Sequence, residues 1–157
     1  MQKHPVQQFI IHTLVKQAIT FEEQSYAFYV QAAEHVAMEP NKKLLLSLAD
    51  EEQKHKQKLD QFLAGDYHEI LEVHLLQEKL DLAIDSHSLH KQIDDTWSEK
   101  EIIELALMRE KASYDFYYLL SQKTKIHSAR QTFLYLAEQE QHHVQKLKSE
   151  LAAIPPQ

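Results

Sequence analysis

Two stretches of this chain lie over two others without a gap. Shifted by 88 residues, AITFEEQSYAFY (18–29) falls on ALMREKASYDFY (106–117), and LADEEQKHKQKL (48–59) falls on LAEQEQHHVQKL (136–147). The same shift lays Glu22 on Glu110, Glu52 on Glu140 and His55 on His143. Any fold for the chain must therefore be built from two like halves. Two copies are too few for a stacked solenoid, so the repeat is a duplicated hairpin.

The hydrophobic spacing says what the hairpins are made of. Ile11, Leu14, Val15, Ala18, Tyr26 and Tyr29 recur at helical intervals, which predicts a first helix over about 6–37. Pro40 breaks it and suits the first turn of a second helix over 40–64, with Leu45, Leu48, Leu59 and Phe62 on one face. That helix stops at Gly65, the only glycine, where a left-handed cap is expected. Ser98-Glu-Lys-Glu101 and Ser128-Ala-Arg-Gln131 read as capping boxes opening helices over 98–123 and 128–152. Pro155 and Pro156 end the last one. The connections within each pair are short, so each pair closes as an antiparallel hairpin. Residues 66–97 form a long crossover, in which Leu71, His74, Leu75 and Leu80 are spaced for a short helix. The expected fold is all-α: a ferritin-like four-helix bundle forming a single domain over 1–157.

Composition narrows the function. Forty-three per cent apolar and 26 per cent charged residues are ordinary for a globular chain. A formal charge of −7 argues against nucleic acid or an anionic membrane as partner. With no cysteine, disulfides, thiolate zinc sites, iron–sulfur clusters and thiol nucleophiles are excluded together. The N-terminus lacks the apolar core and cleavage site of a signal peptide, and no apolar run is long enough to span a bilayer. A cytoplasmic protein is expected.

The chemistry lies in polar residues set within apolar stripes. Glu22 lies four after Ala18 and seven before Tyr29; Glu52 lies four after Leu48 and seven before Leu59. Glu110 and Glu140 repeat these placements. Each half therefore sends one Glu inward from its first helix and a Glu-x-x-His from its second, whose two side chains share a face. A lone Glu-x-x-His on an amphipathic helix is usually solvated surface, but six residues in register across a gapless repeat are not. Four carboxylates in one core repel each other and lose hydration, at several kcal/mol per uncompensated ion. Two divalent cations balance that charge, and His55 and His143 add one neutral nitrogen each. Such a donor set suits iron or manganese, with zinc or cobalt as substitutes, and two Glu plus two Glu-x-x-His is the arrangement of di-iron and di-manganese carboxylate bundles.

The pattern Glu22-x-x-x-Tyr26-x-Phe28-Tyr29 followed by Leu48-Ala-x-x-Glu52-x-x-His55, repeated from Glu110 to His143, resembles the rubrerythrin-type di-iron domain of the ferritin-like superfamily. The resemblance covers roughly 15–151, with 66–97 matched loosely. It implies two iron ions held by Glu22, Glu52, His55, Glu110, Glu140 and His143, with two of the Glu bridging. It also implies redox chemistry with O2 or H2O2 in an oxidase- or peroxidase-type oxidoreductase. Full-length rubrerythrins carry a cysteine-ligated rubredoxin domain; without cysteine, this chain would need a separate electron donor. They also have an extra Glu one turn before the third-helix ligand, where this chain has Leu107 and, in the other half, Ile19. The six-residue set is thus closer to the symmetric site of bacterioferritin.

Metal-bound His normally donates its second N–H to an outer acceptor. By analogy with related bundles, Glu51 is a candidate to serve His143 and Gln139 to serve His55; the alternative is that both are solvated. Tyr26, Tyr29, Tyr114 and Tyr117, one and two turns from the ligands, are candidates to bond the carboxylates or act in electron transfer, with core packing expected for most, and the other nine His are expected at the surface. Beside the redox enzyme stand an iron-storage protein and a bundle whose metal is purely structural. A homodimer is expected ahead of a large shell.

Overall fold

The computed structural model describes residues 5–65, 93–124 and 127–155, with side chains from residue 12 onward. Four helices account for nearly all of them: α1 (Pro5–His35), α2 (Glu39–Ala64), α3 (Glu99–Lys123) and α4 (His127–Ala153). They form an all-α four-helix bundle in which α1 packs along α2 and α3 along α4. At 31 residues α1 runs about 46 Å, long enough for one face to serve two cores and a site between them. The short helix expected around Leu71, His74, Leu75 and Leu80 lies outside the described residues. Among the described residues, no helix is long and apolar enough to cross a membrane.

Local chemistry sets most helix ends. Pro40 occupies the first turn of α2, where its missing N–H has no helical partner to lose. Ser98 caps α3 in full: its Oγ accepts from Glu101 N at 3.2 Å, and Glu101 Oε2 accepts from Ser98 N at 2.8 Å. Two expectations are corrected. Gly65 is extended (φ −78, ψ 155) and not left-handed; its N–H closes the last turn of α2 onto Phe62 O at 3.2 Å. Helix α4 begins at His127, which places Ser128 inside its first turn, and Ser128 makes no capping bond among the described residues.

The start of α3 sits against the turn between α1 and α2. Glu99 Oε1 accepts from Met38 N at 3.3 Å and from the buried Asn41 Nδ2 at 2.6 Å. Since α2 begins at that turn and ends a helix length away, the long connector joins opposite ends of the bundle. This places α3 antiparallel to α1, the crossing that the site requires.

The apolar core is in two parts. One holds Leu14, Val15, Ala18, Leu59, Phe62, Phe116, Phe133 and Leu136. The other holds Phe28, Ala32, Leu45, Leu48, Ile102, Ile103, Val144 and Leu147. Along each helix a stretch of two to three turns separates them: Ala18 to Phe28, Ala49 to Leu59, Leu107 to Phe116, Ala137 to Val144. A layer of buried polar side chains fills that interval.

Candidate metal centre

All six side chains singled out in the sequence lie in that layer. Glu22, Glu52, Glu110, Glu140, His55 and His143 are each no more than 3% exposed. Glu22 comes from α1, Glu110 from α3, and a Glu-x-x-His pair from each of α2 and α4. They gather into two groups, Glu22–Glu52–His55–Glu140 and Glu52–Glu110–Glu140–His143, each with its ligand atoms within 4.8 Å of one another. Glu52 and Glu140 belong to both.

The imidazoles face the carboxylates through Nδ1. His55 Nδ1 lies 3.2 Å from Glu140 Oε1 and 3.5 Å from Glu52 Oε2. His143 Nδ1 lies 2.9 Å from Glu110 Oε2 and 3.3 Å from both Glu52 Oε1 and Glu140 Oε2. The rings stand nearly parallel, with centroids 5.4 Å apart. Two phenols tie the halves together crosswise: Tyr29 of α1 donates to Glu110 Oε1 of α3, and Tyr117 of α3 donates to Glu22 Oε1 of α1. Burial, then the neighbouring carboxylates, pushes both phenols well above their ordinary value, so they stay protonated donors.

The electrostatics show what the cluster lacks. Burial, and then Glu52, drives the Glu22 carboxyl well above the usual carboxylate range; burial, and then Glu110, raises Glu140. Burial opposes a charge on His55, yet the nearby carboxylates of Glu140 and Glu52 push it up to about 10. His143 is raised in the same way by Glu110, Glu140 and Glu51, again against burial. Glu22 Oε2, Glu52 Oε1, His55 Nδ1 and both oxygens of Glu140 have no hydrogen-bond partner, although buried oxygens and nitrogens nearly always find one. These unpartnered atoms are the ones turned toward the shared centre. Cations bonded to them would satisfy the donors and offset the charge together, so the residues present fit a pair of metal ions.

Around this centre the halves differ. Glu51, one residue before Glu52, accepts from His143 Nε2 at 2.7 Å and from Lys146 Nζ at 3.0 Å. The bond to His143 holds the Glu51 carboxyl at about 2, against partial burial. The expected partner of His55 does not engage: Gln139 is half-buried, and among the described residues it makes no bond to His55. Of the four tyrosines only Tyr29 and Tyr117 reach carboxylates. Tyr26 is 41% exposed, and Tyr114 stacks on Tyr118 with centroids 5.8 Å apart. Among the described histidines outside the centre, His12, His127 and His142 are exposed, while His35 is half-buried against Gln31 O.

Sequence reasoning missed Arg109. It is 2% exposed, donates from Nη2 to Ser25 Oγ at 2.9 Å, and lies over the rings of Phe28 and Phe21 at 4.8 and 5.2 Å. It places a guanidinium one residue from Glu110. A signal existed: the 88-residue shift lays Arg109 on Phe21, so a charged residue occupies an apolar position of the repeat.

Two helical hairpins enclosing two carboxylate–imidazole clusters capable of chelating metal define a ferritin-like bundle. The chain belongs to the rubrerythrin family, whose pattern it matches over residues 13–151. Its fold is shared with the solved structure of a hypothetical protein from Pyrococcus furiosus, at a TM-score of 0.66 and 21% identity, over 90% of this chain and 87% of that one. No curated protein matches the chain.

Proposed function

We propose that this chain is a non-haem di-iron protein in which O2 or H2O2 oxidises a pair of ferrous ions, with electrons returned by a separate donor. The observation that supports this most is the sharing of Glu52 and Glu140 between the two four-residue groups. Such sharing is what a dinuclear site needs: Glu52 and Glu140 would serve both ions, Glu22 and His55 one of them, and Glu110 and His143 the other. When bound, two iron ions supply Lewis acidity and a two-electron couple toward the oxidant.

The protein's own contribution is position, charge and dryness. Tyr117 Oη and Tyr29 Oη keep their protons and fix the Glu22 and Glu110 carboxylates at one oxygen each, leaving the second oxygen for the metal. Glu51 accepts the His143 Nε2 proton, so that Nδ1, on losing its own proton as a cation enters, would present its lone pair to the centre. Apolar side chains on both sides of the layer exclude bulk water. With no cysteine in the chain, no thiolate-ligated iron centre can form within it to return electrons.

Stopped-flow mixing tests the reading. The protein loaded anaerobically with two Fe(II) should develop diferric near-ultraviolet absorbance on meeting O2 or H2O2, faster than free Fe(II) in the same buffer. If neither oxidant does so, the metal serves structure and the redox reading is lost.

A further inference from the structure

The repeat makes the two half-sites alike in their ligands, but the residues behind the imidazoles differ. His143 Nε2 is bonded at 2.7 Å to Glu51, whose second oxygen is held at 3.0 Å by Lys146. The position equivalent to Glu51 in the other half is Gln139, which is neutral, and no described residue bonds His55 Nε2. A carboxylate behind an imidazole orients the ring, fixes its tautomer and strengthens the opposite nitrogen as a donor; losing such a partner typically costs 10–100-fold in metal affinity. Arg109 does not create the same difference, because its charge is felt by Glu22, Glu52 and Glu110, which span both groups.

We propose that Glu51 is a positioning residue that makes the half-sites unequal, so that a divalent cation fills Glu52–Glu110–Glu140–His143 first and Glu22–Glu52–His55–Glu140 second. This rests on the dinuclear reading above and adds an order to it. The first ion also neutralises part of the charge on the shared Glu52 and Glu140, which weakens the second step further. Loading is therefore stepwise, with a populated one-metal form.

The test is titration of the full-length protein with Co(II), followed by calorimetry and visible absorption. Two ions should bind in two steps separated by about tenfold or more in affinity. At one Co(II) per chain, proton NMR should show a single shifted imidazole N–H in slow exchange with water, from His143 bonded to Glu51. Glu51→Gln should weaken the first step by about tenfold, bring the steps together and remove the slow exchange. Gln139→Glu, on a half-buried position that asks little of the fold, should tighten the second step. Two ions binding in one unresolved step, or a separation unchanged in both variants, would overturn the inference while leaving the dinuclear site standing. Fewer than two ions bound to the wild-type chain would remove the dinuclear reading, and the inference with it.

Discussion

Glu52 and Glu140 each stand in both four-residue groups, whereas Glu22 and Glu110 each stand in one. The two kinds of Glu should therefore respond differently to neutral replacement. Glu22→Gln, which keeps the shape, should leave a chain holding close to one ion, and Glu52→Gln should lose most of both. Glu104→Ala, on the exposed face of α3 beside Lys100, should lose neither. Elemental analysis after anaerobic Fe(II) loading checks this, and equal losses from Glu22→Gln and Glu52→Gln would contradict the shared-ligand geometry. At this scale the sequence was legible wherever two regularities agreed, helical register and the 88-residue shift. That is why the six clustered residues could be chosen before any coordinates, whereas the pairing of Glu51 with His143 came from the resemblance to related bundles. Arg109 escaped because only one regularity marked it. A charged residue in an apolar stripe is ordinarily solvated, and its burial depends on Phe21, Ser25 and Phe28 of another helix. Which Glu are shared was likewise a matter of three-dimensional placement, since helical register treats all four alike.

The helices themselves were legible because apolar periodicity and proline act within one segment. Their ends were less so. The Ser98–Glu101 box formed because both of its bonds are local, whereas Gly65 shows that a glycine at a helix end permits a left-handed cap without imposing one. The α3 cap carries a prediction. Ser98→Ala should destabilise the bundle by about 1 kcal/mol at neutral pH, as loss of an N-cap usually does. The bonds from Ser98 hold the Glu101 carboxyl below its ordinary value of 4.5. A depressed carboxylate contributes stability that is present above the unfolded value and lost as pH falls through the folded one. The difference between wild type and Ser98→Ala in urea denaturation should therefore shrink between pH 7 and pH 3. A difference that stayed constant across that range would mean that the charged box contributes nothing beyond the hydroxyl.

On the scale of the whole molecule, the polar layer divides one bundle into two apolar cores, so folding must assemble both around buried carboxylates. The sequence implied such a layer through its stripes. The long crossover already implied the antiparallel pairing that completes it, and Glu99 against Met38 and Asn41, with the crossed tyrosines, supplies its contacts. Burial raises Glu22 and Glu140, so without cations the layer is relieved by taking up protons, and it opposes the packing on either side. Ions that bind the folded chain alone stabilise it by mass action, about 2.7 kcal/mol for each site at a hundredfold excess over its dissociation constant. Two sites give roughly 5 kcal/mol, and for a chain of this size that corresponds to a rise in Tm of about 10 to 20 °C. Calorimetry of chelator-treated protein, with and without Co(II), should show a rise in that range. Glu104→Ala should retain it, and Glu52→Gln, which removes a ligand from both groups, should lose most of it. A Tm indifferent to metal in the wild-type chain would mean that the layer is satisfied by protons and that no cation belongs to the fold.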